Sequence, residues 1–295
     1  MSARMRERPE RARESIRIGT GLSATPLARR HEQTVRGKLA RLPKPQPWSA
    51  FDASRHPKAA LALARELWLG LARGEYGAVG LFAKVAVGLV RVGAPFDFVH
   101  AATQASSDEA RHAELCLRMA GLCAGESPEL DVAGDDLDLA LAPLVSELEL
   151  DLVMIQGVAM SETLATALLT ACLRRASDRL TKSLLTALLG DEVHHARLGW
   201  YYLAHRSPRW SLAERQQLAD RAGELVMRVE QEFWVGRDAP SGASTAARAL
   251  GILDSKAQRS VVRDTMENEI LPGLDALGLG ASLAWTRRPR PRSRA

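Results

Sequence analysis

Apolar residues recur at every third or fourth position over most of the chain from residue 57 onward, a spacing that predicts amphipathic α-helices. The pattern runs through four long segments, from Pro57 to about Val92, from Pro95 to about Met119, from about Pro143 to Arg174 and from about Ser177 to His205. Shorter helical patterns follow from Ser211 to Phe233 and from about Ser255 to the residue before Pro272. These elements predict an all-α fold: a four-helix bundle with additional C-terminal helices.

The two ends of the chain differ in composition from its middle. Arg-rich stretches and closely spaced prolines in residues 1–56 predict a mostly irregular arm, which contacts the body through Trp48 and Phe51. Residues 121–136, rich in Gly, Asp, Pro and Ser, predict a connection long enough to cross the bundle. We therefore divide the chain into a basic arm, a bundle, C-terminal helices that pack on the bundle and a basic tail, at residues 1–56, 57–206, 207–285 and 286–295.

On each of the four long helices, one glutamate interrupts the apolar stripe. These glutamates are Glu75, Glu109, Glu162 and Glu192. His112 and His195 follow the second and the fourth by three residues, so each Glu-x-x-His pair lies on one helix face. Glu66 also lies on the first helix, but the nine residues between it and Glu75 turn it about 180° away from the core. We therefore choose Glu75 as the inward-facing residue.

Four carboxylates in one core require a compensating positive charge, because a buried and unpaired carboxylate costs several kcal/mol or more. In each antiparallel pair of helices, Glu75 with Glu109 and Glu162 with Glu192, the two glutamates come to about the same height, within about one helical turn. Two divalent metal ions match four carboxylates in charge. The mixture of imidazole and carboxylate ligands suits iron, manganese or zinc. The sequence therefore predicts a two-metal site with the ligands Glu75, Glu109, His112, Glu162, Glu192 and His195.

This ligand pattern, over about residues 57–206, resembles the di-iron carboxylate site of the ferritin-like superfamily. The stretch Asp108-Glu109-Ala110-Arg111-His112 is similar to the Asp-Glu-x-Arg-His motif of bacterial multicomponent hydroxylases. The resemblance implies that Asp108 orients His195 and that Asp191 orients His112. It also implies a catalytic Thr166 near bound oxygen. The alternative is an ordinary helix threonine, whose hydroxyl bonds the carbonyl four residues earlier, and it stays open.

The resemblance implies an O2-dependent non-haem di-iron oxygenase or oxidase that hydroxylates, N-oxygenates or desaturates a small organic substrate. Two iron ions are the expected cofactor, and manganese in one position is left open. Electrons would come from an external donor, because the sequence shows no nucleotide or iron–sulfur motif. One alternative is a ferroxidase or a rubrerythrin-like protein that handles iron or peroxide. Another is a non-catalytic, metal-stabilised bundle that binds a partner through its basic arms.

Several single positions refine this comparison. Arylamine N-oxygenases of the superfamily have a further histidine ligand where this chain has Leu188. Cys116 occupies the place of the radical tyrosine of ribonucleotide reductase subunits and argues against that function. His194 is turned about 100° from its neighbour His195, and we interpret it as a surface or supporting residue. Trp200 and Tyr202 could line a substrate pocket or a hole-transfer route, but aromatic residues on such helices usually belong to the core, and we assign them no role.

The net charge of +5 belongs to the ends of the chain. Residues 1–44 carry +8 and the last ten residues carry +5, which leaves −8 for the remainder. We interpret the basic ends as solvated rather than as nucleic-acid binding. Three cysteines without paired spacing, no apolar run of ~20 residues and no signal-peptide pattern predict a cytoplasmic protein without a membrane partner. A homodimer is compatible with this composition.

Overall fold

The computed structural model describes residues 16–19, 48–132, 144, 146–235 and 244–287. Eight helices lie within these ranges: α1 (Lys58–Arg91), α2 (Phe96–Ala124), α3 (Glu147–Arg175), α4 (Arg179–Arg206), α5 (Leu212–Val235), α6 (Thr245–Ala249), α7 (Ser255–Ala276) and α8 (Ala281–Arg287). Short 3₁₀ turns occupy Trp48–Ala50, Ala53–Arg55 and Ser207–Arg209. The predicted all-α fold is confirmed.

Local sequence signals determine where the long helices begin and end. Ser146 and Asp178 cap α3 and α4, since their side chains accept hydrogen bonds from backbone N–H groups three residues later. Helix α2 runs about five residues beyond its predicted end at Met119 and stops at Gly125, whose φ of 75° suits glycine. The prediction placed the boundary too early because Gly121 continues the helix instead of ending it.

The four long helices pack around one apolar core. Helices α1 and α2 form an antiparallel pair, and the Ser106 hydroxyl of α2 donates to the Val79 carbonyl of α1 at 3.0 Å. Helices α3 and α4 form the second pair. Their backbones approach so closely that a Cβ added at Gly199 would lie 2.5 Å from the Ala159 nitrogen. Only glycine fits position 199, so this residue sets the spacing of α3 and α4.

Helix α3 is not α-helical along its whole length. Its segments are Glu147–Val153, the π-helical Met154–Met160 and Ser161–Arg175. The Ser161 hydroxyl donates to the Gln156 carbonyl at 2.9 Å, at the end of the π segment. The π segment was not predicted, because a hydrophobic stripe does not reveal one additional residue in a turn. It ends two residues before Glu162.

The C-terminal helices pack on the bundle, as Gly273 of α7 against the Trp200 ring of α4 shows. Helix α7 consists of Ser255–Thr265, the π-helical Met266–Ile270 and Leu271–Ala276. The prediction that this helix ends before Pro272 is wrong. Pro272 follows the π turn at the start of the last segment, where a proline is tolerated.

Two short strands were also not predicted. β1 (Ile16–Gly19), in the arm expected to be irregular, pairs antiparallel with β2 (Glu129–Val132), in the stretch expected to be only a connection. Trp48 and Phe51 pack against the core, and the Arg118 guanidinium lies 4.6 Å from the centre of the Trp48 ring. Residues 1–15, 20–47, 133–143, 145, 236–243 and 288–295 lie outside the described ranges.

Within the part of the chain that the structure describes, one helix is long and apolar enough to cross a membrane by length and composition. This helix is α3, and 56% of its most apolar window is buried inside the protein. The sequence predicted no membrane-spanning segment, because Glu162 and several hydroxyl residues interrupt the apolar residues of this helix. Core helices of bundles have the same length and composition, so the finding adds little.

The close approach of α3 and α4 can be tested at Gly199. We expect Gly199→Ala to lower the free energy of unfolding by about 1–3 kcal/mol, because the added methyl group pushes α4 away from Ala159. The matched control is Gly190→Ala on the same helix, where an added Cβ meets nothing within 4 Å. That change is expected to stabilise the helix by up to about 1 kcal/mol. Chemical denaturation of the metal-free variants, followed by circular dichroism, measures both; equal effects would contradict the packing argument.

Candidate metal centre

Six side chains from the four long helices converge in the middle of the bundle. They are Glu75 of α1, Glu109 and His112 of α2, Glu162 of α3, and Glu192 and His195 of α4. All are buried except Glu75, whose side chain is 12% exposed. Glu66 is exposed and lies beside Arg65 on the surface. The structure thus brings together all six residues that the sequence analysis selected.

The six residues form two groups of four that share two members. One group contains Glu75 and His112, the other contains Glu162 and His195, and both contain Glu109 and Glu192. Within each group, one potential ligand atom from every residue lies within 4.8 Å of the others. Ligands at metal bonds of about 2.1 Å lie at most about 4.2 Å apart across the ion, so small adjustments complete either group. Each group can therefore hold a metal ion.

The contacts inside the cluster are close but do not form hydrogen bonds. Nδ1 of His195 lies 2.8 Å from Oε1 of Glu109, and Nδ1 of His112 lies 3.0 Å from Oε1 of Glu192. These four atoms are buried and have no hydrogen-bond partner of acceptable geometry. Buried polar atoms without partners are rare in folded proteins. Their lone pairs converge on a common space, as expected for atoms that ligate a cation. The donor set therefore fits a metal.

The outer nitrogens of both histidines face carboxylates from the opposite helix. Nε2 of His112 lies 3.3 Å from Oδ2 of Asp191, and Nε2 of His195 lies 3.7 Å from Oδ2 of Asp108. Gln104 donates to Oδ1 of Asp108 at 3.0 Å. This arrangement directs the two Nδ1 atoms toward the cluster. The pairing of each Asp with the histidine of the other motif is the one that the family resemblance implied.

Arg111 is part of the site, although the sequence analysis assigned it no role. Its guanidinium is buried, lies 3.3 Å from Asp108 and forms a short contact with Asp191. Asp108 and Arg111 are three residues apart and share a helix face, which was the available signal. The corresponding position of the second motif is His194, which is exposed as expected. One guanidinium therefore serves the supporting acids of both motifs.

Burial and mutual repulsion shift the protonation of the cluster in the absence of metal. Desolvation, followed by the charges of Glu109 and Glu192, raises the pKa of both Glu75 and Glu162 well above the usual range of a carboxyl. Burial alone would lower the pKa of His195, but the carboxylates around it outweigh this effect and raise the value to about 12. The pKa of His112 is raised for the same reason. The metal-free site therefore holds protons that a metal ion must displace.

Thr166 lies one turn after Glu162, and its hydroxyl oxygen is buried without a hydrogen-bond partner. Other threonines of α3 behave differently: the hydroxyls of Thr163 and Thr170 donate to the carbonyls four residues earlier, at 2.6 and 2.8 Å. The interpretation of Thr166 as such an ordinary helix threonine is therefore wrong. Its hydroxyl stays available to a ligand beside the metal cluster.

The remaining positions singled out from the sequence surround this cluster or lie away from it. Leu188 is a buried apolar residue one turn before Glu192 and adds no ligand. Cys116 is buried and takes part in no disulfide bond within the described residues. No protein-family model matches the chain, and a comparison with curated proteins finds no match. The case for a metal centre therefore depends on the geometry of the site.

The raised pKa values predict that metal affinity increases with pH. Because burial and the neighbouring charges favour the protonated forms of Glu75, Glu162 and His195 without metal, the affinity for Zn²⁺ is expected to rise with pH, by about tenfold per pH unit for each proton displaced. Calorimetric titration with Zn²⁺ in two buffers of different ionisation enthalpy counts the released protons. Glu66→Gln, on the exposed face of α1, is the control and should leave the count unchanged. A heat of binding that is the same in both buffers would contradict the prediction.

Proposed function

We propose that this protein is an O2-dependent non-haem di-iron oxidoreductase, an oxygenase or oxidase of ferritin-like type that acts on a small organic substrate. The observation that carries the proposal is the pair of four-residue ligand groups sharing Glu109 and Glu192 within a buried core. Shared carboxylates allow two ions to lie close enough to react as one unit. A lone structural ion would need only one group.

Charge supports two divalent ions at this position. The four ligand glutamates carry −4 when ionised, and two divalent cations compensate them. Asp108 and Asp191 add −2, of which Arg111 compensates half. The remaining charge of −1 offsets part of the +2 that a change of both ions to the trivalent state would add. Imidazole and carboxylate ligands suit iron, and manganese in one of the positions stays compatible with them.

Ferrous ions held in such a site supply the electrons with which O2 is activated. The residues of the chain have separate tasks around them. Glu75 with His112, and Glu162 with His195, would hold one ion each, while Glu109 and Glu192 would contact both. Asp191 lies 3.3 Å from Nε2 of His112 and Asp108 lies 3.7 Å from Nε2 of His195, so the charge of each aspartate favours a proton on Nε2 and leaves Nδ1 to ligate.

The side of the cluster at Glu162 is where we place the organic substrate. The Thr166 hydroxyl is buried there without a partner, and it can hold or pass a proton at Oγ1. Leu169, which follows Thr166 by three residues on the same side of α3, is buried and apolar. Hydroxylation, N-oxygenation and desaturation all need this combination of a dry site and one polar group. The electrons come from an external donor protein.

The two ligand groups predict a defined pattern of metal content. After anaerobic dialysis against Fe²⁺, the wild-type protein is expected to hold two ions per chain, and Glu75→Ala and Glu162→Ala about one ion each. Glu109→Ala and Glu192→Ala should hold almost none, because each change removes a ligand from both groups. Elemental analysis measures the content, with Glu66→Ala as the control that retains both ions. Full metal content in Glu109→Ala would exclude the proposed site.

Reaction with O2 distinguishes the proposed oxidoreductase from a ferroxidase. When the anaerobic Fe²⁺-loaded protein is mixed with O2, we expect about one O2 to be consumed per two ferrous ions and the reaction to stop until a reductant is added. Stopped-flow absorbance and an oxygen electrode follow this stoichiometry. Continued oxidation of added Fe²⁺ into a ferric mineral would instead support the ferroxidase and overturn our proposal.

Thr166→Val should retain the iron content and change the lifetime of the transient absorbance. The control Thr170→Val should change neither.

A further inference from the structure

A second buried polar cluster lies in the same bundle, outside the metal site. The carboxylate of Asp151, at the start of α3, is fully buried and accepts two hydrogen bonds. The Tyr202 hydroxyl of α4 donates to Oδ1 at 2.8 Å, and the Trp210 indole nitrogen donates to Oδ2 at 2.8 Å. All three side chains are more than nine-tenths buried. One carboxylate thus accepts hydrogen bonds from a tyrosine and a tryptophan, two side chains that readily lose one electron.

The cluster begins on the helix face that carries metal ligands. Tyr202 follows His195 by seven residues, which is two turns, so both side chains lie on the same face of α4 about 10 Å apart along the axis. Trp210 follows the turn Ser207–Arg209 at the end of α4, and the Arg215 guanidinium lies 5.4 Å from the centre of its ring. Asp151 connects the two aromatic residues. The three residues therefore lead from the centre of the bundle toward its end.

We propose that Tyr202, Asp151 and Trp210 form an electron relay between the metal centre and the end of the bundle, a role that rests on the proposed function. When the centre has been oxidised by O2 and no organic substrate is bound, Tyr202 gives it one electron and passes its phenolic proton to Oδ1 of Asp151. The products are a neutral tyrosyl radical, a neutral carboxylic acid and a centre reduced by one electron.

Trp210 then restores the tyrosine. It gives one electron to the Tyr202 radical, the acid returns its proton to the phenolate oxygen, and the indole N–H proton moves to Oδ2 of Asp151. An external one-electron donor finally reduces the indolyl radical, which takes its proton back from Asp151. Every proton in these steps therefore moves along one of the two hydrogen bonds that Asp151 already accepts.

The surroundings of Asp151 suit a proton acceptor. The Arg206 side chain, with Nε 3.5 Å from Oδ2 of Asp151, favours the ionised carboxylate and also reaches Glu147 at 2.7 Å and Glu214 at 3.0 Å. Burial nevertheless raises the pKa of Asp151 above that of an exposed carboxyl, which makes it a stronger base. A carboxylate that is both ionised and basic can accept the tyrosine proton as the electron leaves.

The test uses the whole protein loaded with Fe²⁺ under anaerobic conditions and mixed with O2 without organic substrate. Freeze-quenched samples are measured by electron paramagnetic resonance, and protein containing ring-deuterated tyrosine identifies a tyrosyl signal by its narrowing. Ferric absorbance is recorded in parallel. Tyr202→Phe is compared with Tyr201→Phe, the adjacent tyrosine, whose side chain is exposed on the outer face of α4.

A tyrosyl signal is expected in the wild type and in Tyr201→Phe, and it should disappear in Tyr202→Phe. Asp151→Asn should reduce the yield at least several-fold, because the amide accepts no proton, while Trp210→Phe should prolong the signal, because the tyrosine is restored more slowly. Circular dichroism and iron content verify that the variants fold. Iron oxidation without a signal, and with the same decay of oxidised iron in wild type and Tyr202→Phe, would overturn the relay alone. Absence of iron oxidation by O2 would overturn the proposed function and the relay with it.

Discussion

Repulsion among four buried carboxylates is the constraint on which the structure depends. Glu75, Glu109, Glu162 and Glu192 meet at one height in an apolar core, where like charges without compensation would destabilise the fold. Protons or cations must neutralise them, and the two histidines with their supporting acids make the cluster compatible with a metal ion. The length of the four helices supplies the apolar packing that tolerates this strain, since the core extends for several turns on either side of the cluster.

The support around the cluster is asymmetric, although the ligand groups are nearly equivalent. Both histidines have an aspartate behind them, but a single guanidinium, that of Arg111, lies between the two aspartates. Asp191 is 31% exposed on its side chain whereas Asp108 is buried, so solvent reaches one half of the site more easily than the other. The two ligand groups therefore differ in the polarity of their surroundings even though each is built from the same types of side chain.

Much of the site was predictable because helical periodicity is a reliable guide to which residues share a face. The stripe distinguished Glu75 from Glu66 and selected all six cluster residues. Helical periodicity does not predict features that depend on tertiary contacts. These are the pairing of β1 with β2, the position of Arg111 between two helices, and the hydrogen bonds of Asp151 to Tyr202 and Trp210. The continuation of α7 through Pro272 was missed because a π turn accommodates the proline, and local propensity does not indicate π turns.

The π segment of α3 makes the geometry of the carboxylate and histidine cluster sensitive to the deletion of a single residue. A π turn is an α turn that holds one more residue, and one residue rotates everything beyond it by about 100°. Glu162 and Thr166 follow Met154–Met160 directly, so their orientation relative to Leu150 and Asp151 depends on that one residue. Loss of a single codon within the segment would restore a regular helix and preserve its hydrophobicity. It would also turn either Glu162, after the segment, or Leu150, before it, away from the core.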